Sequence, residues 1–129
     1  MAFTYRYVLV DPAVPPAPFV LVNIGRHGGA NTATDVAAKL DTGADRTVIP
    51  TDLAARLGLV EVERLTFAGL GGQPVELPVF HVRLVVRDLP LILVKVAASD
   101  GEPYILLGRD VLNSYRIVLD GPNQKLEIG

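Results

Sequence analysis

Few side chains in this 129-residue chain can carry chemistry. Cysteine is absent, which excludes disulfides, a thiol nucleophile and cysteine-based zinc or iron sites. Only two histidines occur, His27 and His81, so a histidine-rich metal site is excluded and any Ser-His-Asp triad would have to use one of them. His27 falls in the turn-like run Arg26-His27-Gly28-Gly29, and His81 on the polar side of an alternating strand, so both read as solvated side chains. What remains is carboxylate chemistry, and one acid stands out by its surroundings. In Ala38-Lys39-Leu40-Asp41-Thr42-Gly43-Ala44-Asp45-Arg46-Thr47-Val48-Ile49-Pro50, Asp41 ends an apolar run and is followed by a small hydroxyl residue, glycine and alanine. Small neighbours let another backbone approach the carboxylate, and glycine admits dihedrals that other residues resist. Taken alone, Asp-Thr-Gly equally describes a polar turn between two strands.

The elements that must position Asp41 are strands. Valine, leucine and isoleucine fall in short runs broken by glycine or proline, the pattern of an all-β domain. The expected strands are Tyr5–Val10, Phe19–Ile24, Ala37–Leu40, Arg46–Ile49, Val60–Phe67, Val75–Arg87, Leu91–Ala97, Tyr104–Leu107, Arg116–Asp120 and Lys125–Ile128. Alternation is clearest where Phe80, Val82, Leu84 and Val86 interleave with His81, Arg83 and Arg87. Two short helices are expected. The first is capped by Thr51, with Asp52 in its first turn, Leu53 and Leu57 on one face and Gly58 as the stop. The second runs from about Asp110 to Tyr115. The chain closes as a hairpin around Asp120-Gly121-Pro122-Asn123, with Ile117, Leu119, Leu126 and Ile128 facing inward. Asp11-Pro12-Ala13-Val14-Pro15-Pro16-Ala17-Pro18 reads as an extended linker, which makes residues 1–17 an arm ahead of a domain at 18–129. Leu40-Asp41-Thr42-Gly43 is faintly echoed by Leu106-Leu107-Gly108-Arg109.

Half the residues are hydrophobic and a fifth are charged, so the chain can bury a core. Twelve basic residues are scattered among fourteen acids for a net charge of -2, which leaves no electrostatic footprint for nucleic acid. No apolar run reaches the roughly eighteen residues of a membrane helix, and Asp11 with its prolines breaks the opening run where a secretory signal would continue. Neither nucleic acid nor membrane is expected as a partner, and the cytoplasm is the expected location.

The Asp41 segment resembles the active-site motif of the aspartic proteases, specifically the retropepsin-like branch, in which Asp-Thr/Ser-Gly-Ala follows an apolar strand. Phe67-Ala68-Gly69-Leu70-Gly71-Gly72-Gln73-Pro74 resembles the glycine-rich tip of the retropepsin flap. Ile105-Leu106-Leu107-Gly108-Arg109-Asp110 resembles the segment that precedes the family's helix. The three motifs keep the family's order and span residues 19–119. The resemblance implies a closed, mostly antiparallel acid-protease barrel, homodimeric, acting as an aspartic endopeptidase.

Such hydrolysis needs two carboxylates sharing one proton, because like charges that close cannot both ionise, an effect for which aspartic proteases are the standing example. One carboxylate acts as base on a water while the other, protonated, polarises the scissile carbonyl. None of the other aspartates is followed by Thr or Ser and then Gly, so a second copy of the chain is expected to supply the second Asp41. By resemblance, Thr42 hydrogen-bonds across the dimer axis, Gly43 admits the substrate main chain, and Ala44 stands where many pepsin-like enzymes carry serine. Asp45 binds substrate backbone and pairs with Arg109, and Gly69, Leu70, Gly71 and Gly72 meet substrate from the flap. Arg46 stands where some viral relatives have an acid, so their pocket preference does not carry over. Pro74 removes a backbone donor beside the tip, and the Arg116–Ile128 hairpin extends past the viral pattern, so no interface strands are assigned. The expected partners are a second copy and an extended peptide or protein substrate, with no metal and no organic cofactor. The alternative is a non-catalytic peptide-binding dimer of the same fold.

Overall fold

The computed structural model describes residues 1–68 and 72–129. These residues form strands β1 (Phe3–Arg6), β2 (Phe19–Arg26), β3 (Thr32–Leu40), β4 (Val48–Pro50), β5 (Glu61–Phe67), β6 (Val75–Val86), β7 (Ile92–Ser99), β8 (Ile105–Leu107), β9 (Ile117–Asp120) and β10 (Lys125–Ile128). Two short helices, α1 (Thr51–Arg56) and α2 (Arg109–Leu112), complete the chain. The main sheet runs β2-β3-β8-β4-β7-β6-β5, and β6 also pairs with β2. That extra pairing closes the six strands β2, β3, β8, β4, β7 and β6 into a barrel and leaves β5 attached through β6 alone. The expected all-β, closed and mostly antiparallel barrel is present, with parallel pairs at β3–β8 and β4–β7.

Closure depends on the length of β6. Its first half pairs with β5, its middle with β7 and its end with β2. Phe80, Val82, Leu84 and Val86 all point into the core, as their alternation requires, while His81 is exposed. Pro78 is tolerated because it lies opposite Arg64 of β5, one residue before pairing with β7 begins at Val79. Val20, Val22, Ile24, Ile105 and Leu107 fill the same interior from the other strands.

A second sheet, β1-β10-β9, packs against the barrel. Phe3 pairs with Ile128 and Tyr5 with Leu126, and both β10 side chains are buried. Arg87 lies over the Phe3 ring at 5.0 Å from its centroid, which adds a cation–π contact to the seam.

Several boundaries depart from expectation. β1 sits at Phe3–Arg6 rather than Tyr5–Val10, because pairing with β10 places Phe3 and Tyr5 against the core. The Asp11–Pro18 stretch is bent, not extended: the Asp11 carboxylate accepts the Ala13 N–H at 2.9 Å and its carbonyl accepts the Val14 N–H. β3 starts at Thr32 rather than Ala37, since an irregularity opposite Val22 and Ile24 absorbs Asp35. Asp35 takes a φ of 52°, and its N–H is satisfied by the Asn23 side chain at 3.0 Å. Thr51 does not cap α1; Pro50, in an extended conformation, holds the cap position without a side-chain bond. Gly58 does end that helix, at φ 63°. α2 begins at Arg109 and ends at Leu112, a turn earlier than expected, because Gly108 is extended and Asn113 closes it. Leu119 is 49% exposed rather than inward. It faces the same side as Leu126, but β9 is the open edge of its sheet and the core ends before reaching it.

Leu126→Ala should destabilise the fold by about 2–5 kcal/mol, because a fully enclosed side chain leaves a cavity that the β1–β10 pairing holds open. Leu119→Ala, on the exposed edge, should change stability by about 0.5 kcal/mol or less. Urea unfolding of both variants checks the contrast.

Candidate active site

Asp41 is the first residue beyond β3, and two strands fix its backbone. Leu40 lies in register with Leu107 of the parallel β8, and the Asp41 N–H donates to the Leu107 carbonyl at 2.9 Å. The two segments that echo one another in sequence are thus side by side. Beyond Asp41 the chain turns back on itself. The Ala44 N–H donates to the Asp41 carbonyl at 3.1 Å, and the Gly43 N–H donates to the Asp41 carboxylate oxygen Oδ1 at 3.1 Å. Asp41 is half-buried, while Thr42 and Gly43 are exposed. Gly43 has no positive φ; among the described residues the glycines that do are Gly28 and Gly58. A Cβ there would meet only Asp41 Oδ1, at 3.4 Å, an ordinary contact, so neither a special dihedral nor packing within the chain requires glycine at this position.

The β8–α2 corner grips the far side of this loop. The Arg109 N–H donates to the Ala44 carbonyl at 2.9 Å and its Nη1 to the Thr42 carbonyl at 2.7 Å. Its Nη2 donates to the Asp45 carboxylate in an ion pair. Asp45 is 90% exposed, so that pair contributes little alone, and the bonds to the two loop carbonyls matter more for position.

A second tie went unrecognised in the sequence. Thr47 is a polar residue with no exposed surface. Its N–H donates to Asp110 Oδ2 at 2.9 Å, its hydroxyl donates to Asp110 Oδ1 at 2.8 Å, and the same hydroxyl accepts the Gly108 N–H at 3.1 Å. Because the Thr47 N–H goes to a side chain, β4 starts at Val48 rather than Arg46. Gly108 passes so close to Arg46 that a Cβ would come within 2.6 Å of the Arg46 carbonyl carbon. The only sequence sign was Asp110 directly following Gly108-Arg109, and nothing local marks Thr47 as its partner.

Across from the loop stands the β5–β6 hairpin, whose last pair is Phe67 with Val75. A cleft of about 540 Å³ lies between them, lined by Gly43, Ala44, Asp45, Arg46 and Val48 on one side and Leu65–Ala68 on the other. Gly69, Leu70 and Gly71 of the anticipated flap tip lie outside the described residues; Gly72 is exposed. His27 and His81 are cross-strand neighbours outside this cleft, their ring centroids 6.4 Å apart. Among the described residues no three His, Cys, Asp or Glu side chains are grouped to hold a metal, and no helix is long and apolar enough to cross a membrane.

A six-stranded closed barrel that holds an Asp-Thr-Gly loop opposite a projecting hairpin defines the retropepsin-like class of aspartic protease folds. A retropepsin-like aspartic protease from Rickettsia conorii aligns over 99% of this chain and 90% of its own, with a TM-score of 0.67 at 12% identity. EIAV protease, solved in complex with an inhibitor, aligns over 81% of this chain and 93% of its own, with a TM-score of 0.56 at 27% identity. None of the curated proteins matches. The family model described as aspartyl protease matches residues 23–111, and the chain belongs to that family.

Gly108→Ala should destabilise the protein by about 1–3 kcal/mol, since the methyl group meets backbone that cannot yield. Gly121→Ala, where a Cβ would meet nothing within 4 Å, should be close to neutral. Thermal unfolding of the pair separates close packing from a general cost of replacing glycine.

Proposed function

We propose that the protein is an aspartic endopeptidase that works as a homodimer, with Asp41 of each copy forming one catalytic dyad. The observation that carries this reading is the Asp41 loop, braced by Arg109, Thr47 and Asp110, opening on a cleft beneath the β5–β6 hairpin. The family match supports the chemistry, and the single Asp-Thr-Gly of the sequence supports a second copy as the source of the other carboxylate. In this reading one carboxylate takes a proton from water while the other, protonated, donates to the scissile carbonyl, and no covalent intermediate forms. Thr42 bonds across the two-fold axis, Ala44 supports the loop, and Gly43 with Asp45 binds the main chain of an extended substrate. The β5–β6 hairpin, including Gly69, Leu70, Gly71 and Gly72, is the flap. Its strand β5 is held by one neighbour, and closing the hairpin over the cleft would exclude water. The substrate then lies as an added strand between flap and floor.

Asp41→Asn should keep the fold and abolish cleavage, because asparagine is nearly isosteric but cannot act as the base. With free subunit exchange, an equal mixture of wild type and Asp41→Asn leaves about a quarter of dimers with both aspartates, so activity per total protein falls to about a quarter rather than a half. Specific activity should also fall on dilution below the dimer dissociation constant. Constant specific activity from a species that sizes as a monomer would overturn the dimeric mechanism. A chain that binds extended peptides but cleaves none would instead be the non-catalytic module.

A further inference from the structure

Arg46 directly follows the braced loop, is half-buried, and lines the cleft. It also lines a neighbouring cavity of about 460 Å³ with His27, His81, Leu93, Lys95 and Asp110, so the residue borders both spaces. The acids around it are already engaged. Asp45 pairs with Arg109, both Asp110 oxygens accept from Thr47, and Glu63 takes the Lys95 ammonium at 2.7 Å. The Lys95 hydrogen bond and charge hold the Glu63 carboxyl below its ordinary range, with lesser help from Arg46 and His81. Arg46 itself makes no ion pair and no side-chain hydrogen bond among the described residues.

A guanidinium carries five N–H donors in a planar fork that matches the two oxygens of a carboxylate. Set in a cleft wall, partly withdrawn from water, such a group discriminates between charged and neutral ligands more strongly than one on open surface. Among the described residues the only other charged one lining the cleft is Asp45, whose charge Arg109 offsets. We infer that Arg46 is the specificity-determining residue of the cleft and receives a glutamate or aspartate side chain of an extended peptide substrate. As a statement about turnover this rests on the protease reading; as a statement about binding it does not.

Two readouts on one random octapeptide library test the inference. In the first, wild type, Arg46→Gln and Arg46→Glu cleave the library and the products are sequenced. In the second, the full chain carrying Asp41→Asn, with or without each Arg46 change, retains peptides at equilibrium without cleaving them. With Arg46 present, Glu or Asp should exceed Gln or Asn by about tenfold at one peptide position, a preference that weakens with added salt. Arg46→Gln should abolish the preference, and Arg46→Glu should turn it toward Lys and Arg. Should Arg46→Glu fail to fold, loss of preference in Arg46→Gln carries the test. Cleavage or retention with no acid preference, a preference that survives both substitutions, or no retained peptide at all would overturn the inference. Cleavage without acid preference leaves the protease reading standing. Retention of acidic peptides through Arg46 with no cleavage by wild type removes the protease reading and leaves the inference standing.

Discussion

The buried Thr47 side chain is the constraint on which the arrangement around Asp41 depends. Its N–H and hydroxyl donate to Asp110, its hydroxyl oxygen accepts from Gly108, and its carbonyl accepts from Ala97 of β7. Every polar group of the residue is thereby satisfied without water, and three separate segments are tied at one point. A hydroxyl has one proton to donate, so donation to Asp110 leaves its lone pairs to receive the Gly108 N–H. Breaking either bond would strand a donor or acceptor in a site closed to solvent, at a cost of about 1–3 kcal/mol. The loop is consequently held from behind by groups that never face the cleft.

Arg109 does the complementary work from the exposed side. Its two bonds to loop carbonyls set the height of Thr42 and Ala44, and the Asp45 pair orients the guanidinium while remaining open to water. This division leaves Asp41 Oδ1 engaged only by the neighbouring Gly43 amide among the described residues. Support from both sides thus fixes the backbone around a half-buried carboxylate. On the other side of the cleft β5 has one hydrogen-bonded neighbour, where every barrel strand has at least two.

Legibility in the sequence followed the range of the forces involved. The inward set of β6 was plain because alternation along one strand is a local pattern, and Gly58 marked the end of α1 because a left-handed residue is a local need. The length of β3 was hidden, since nothing local shows that Asn23 of the adjacent strand will satisfy the Asp35 amide. Leu119 carries an inward pattern yet lies at a sheet edge that only the sheet order reveals. The braced loop shows the same split: Asp41, Gly43 and Arg109 stand in motifs, whereas Thr47 is one more β-branched residue.

By itself the sequence determined the strand-rich character of the chain, the exclusion of thiol chemistry, and the choice of Asp41 as the one acid set among small residues after an apolar strand. These properties reside in residue type and spacing along a few neighbouring positions. Only the tertiary structure decided that β6 would return to β2 and close the barrel, that the Gly108 corner would lie against Arg46, and that Thr47 and Asp110 would meet. It also decided that Arg46 would stand in the cleft wall without a side-chain partner among the described residues. Each of these joins residues far apart in the chain, and such contacts form only once burial of the whole core offsets the entropy of bringing distant segments together.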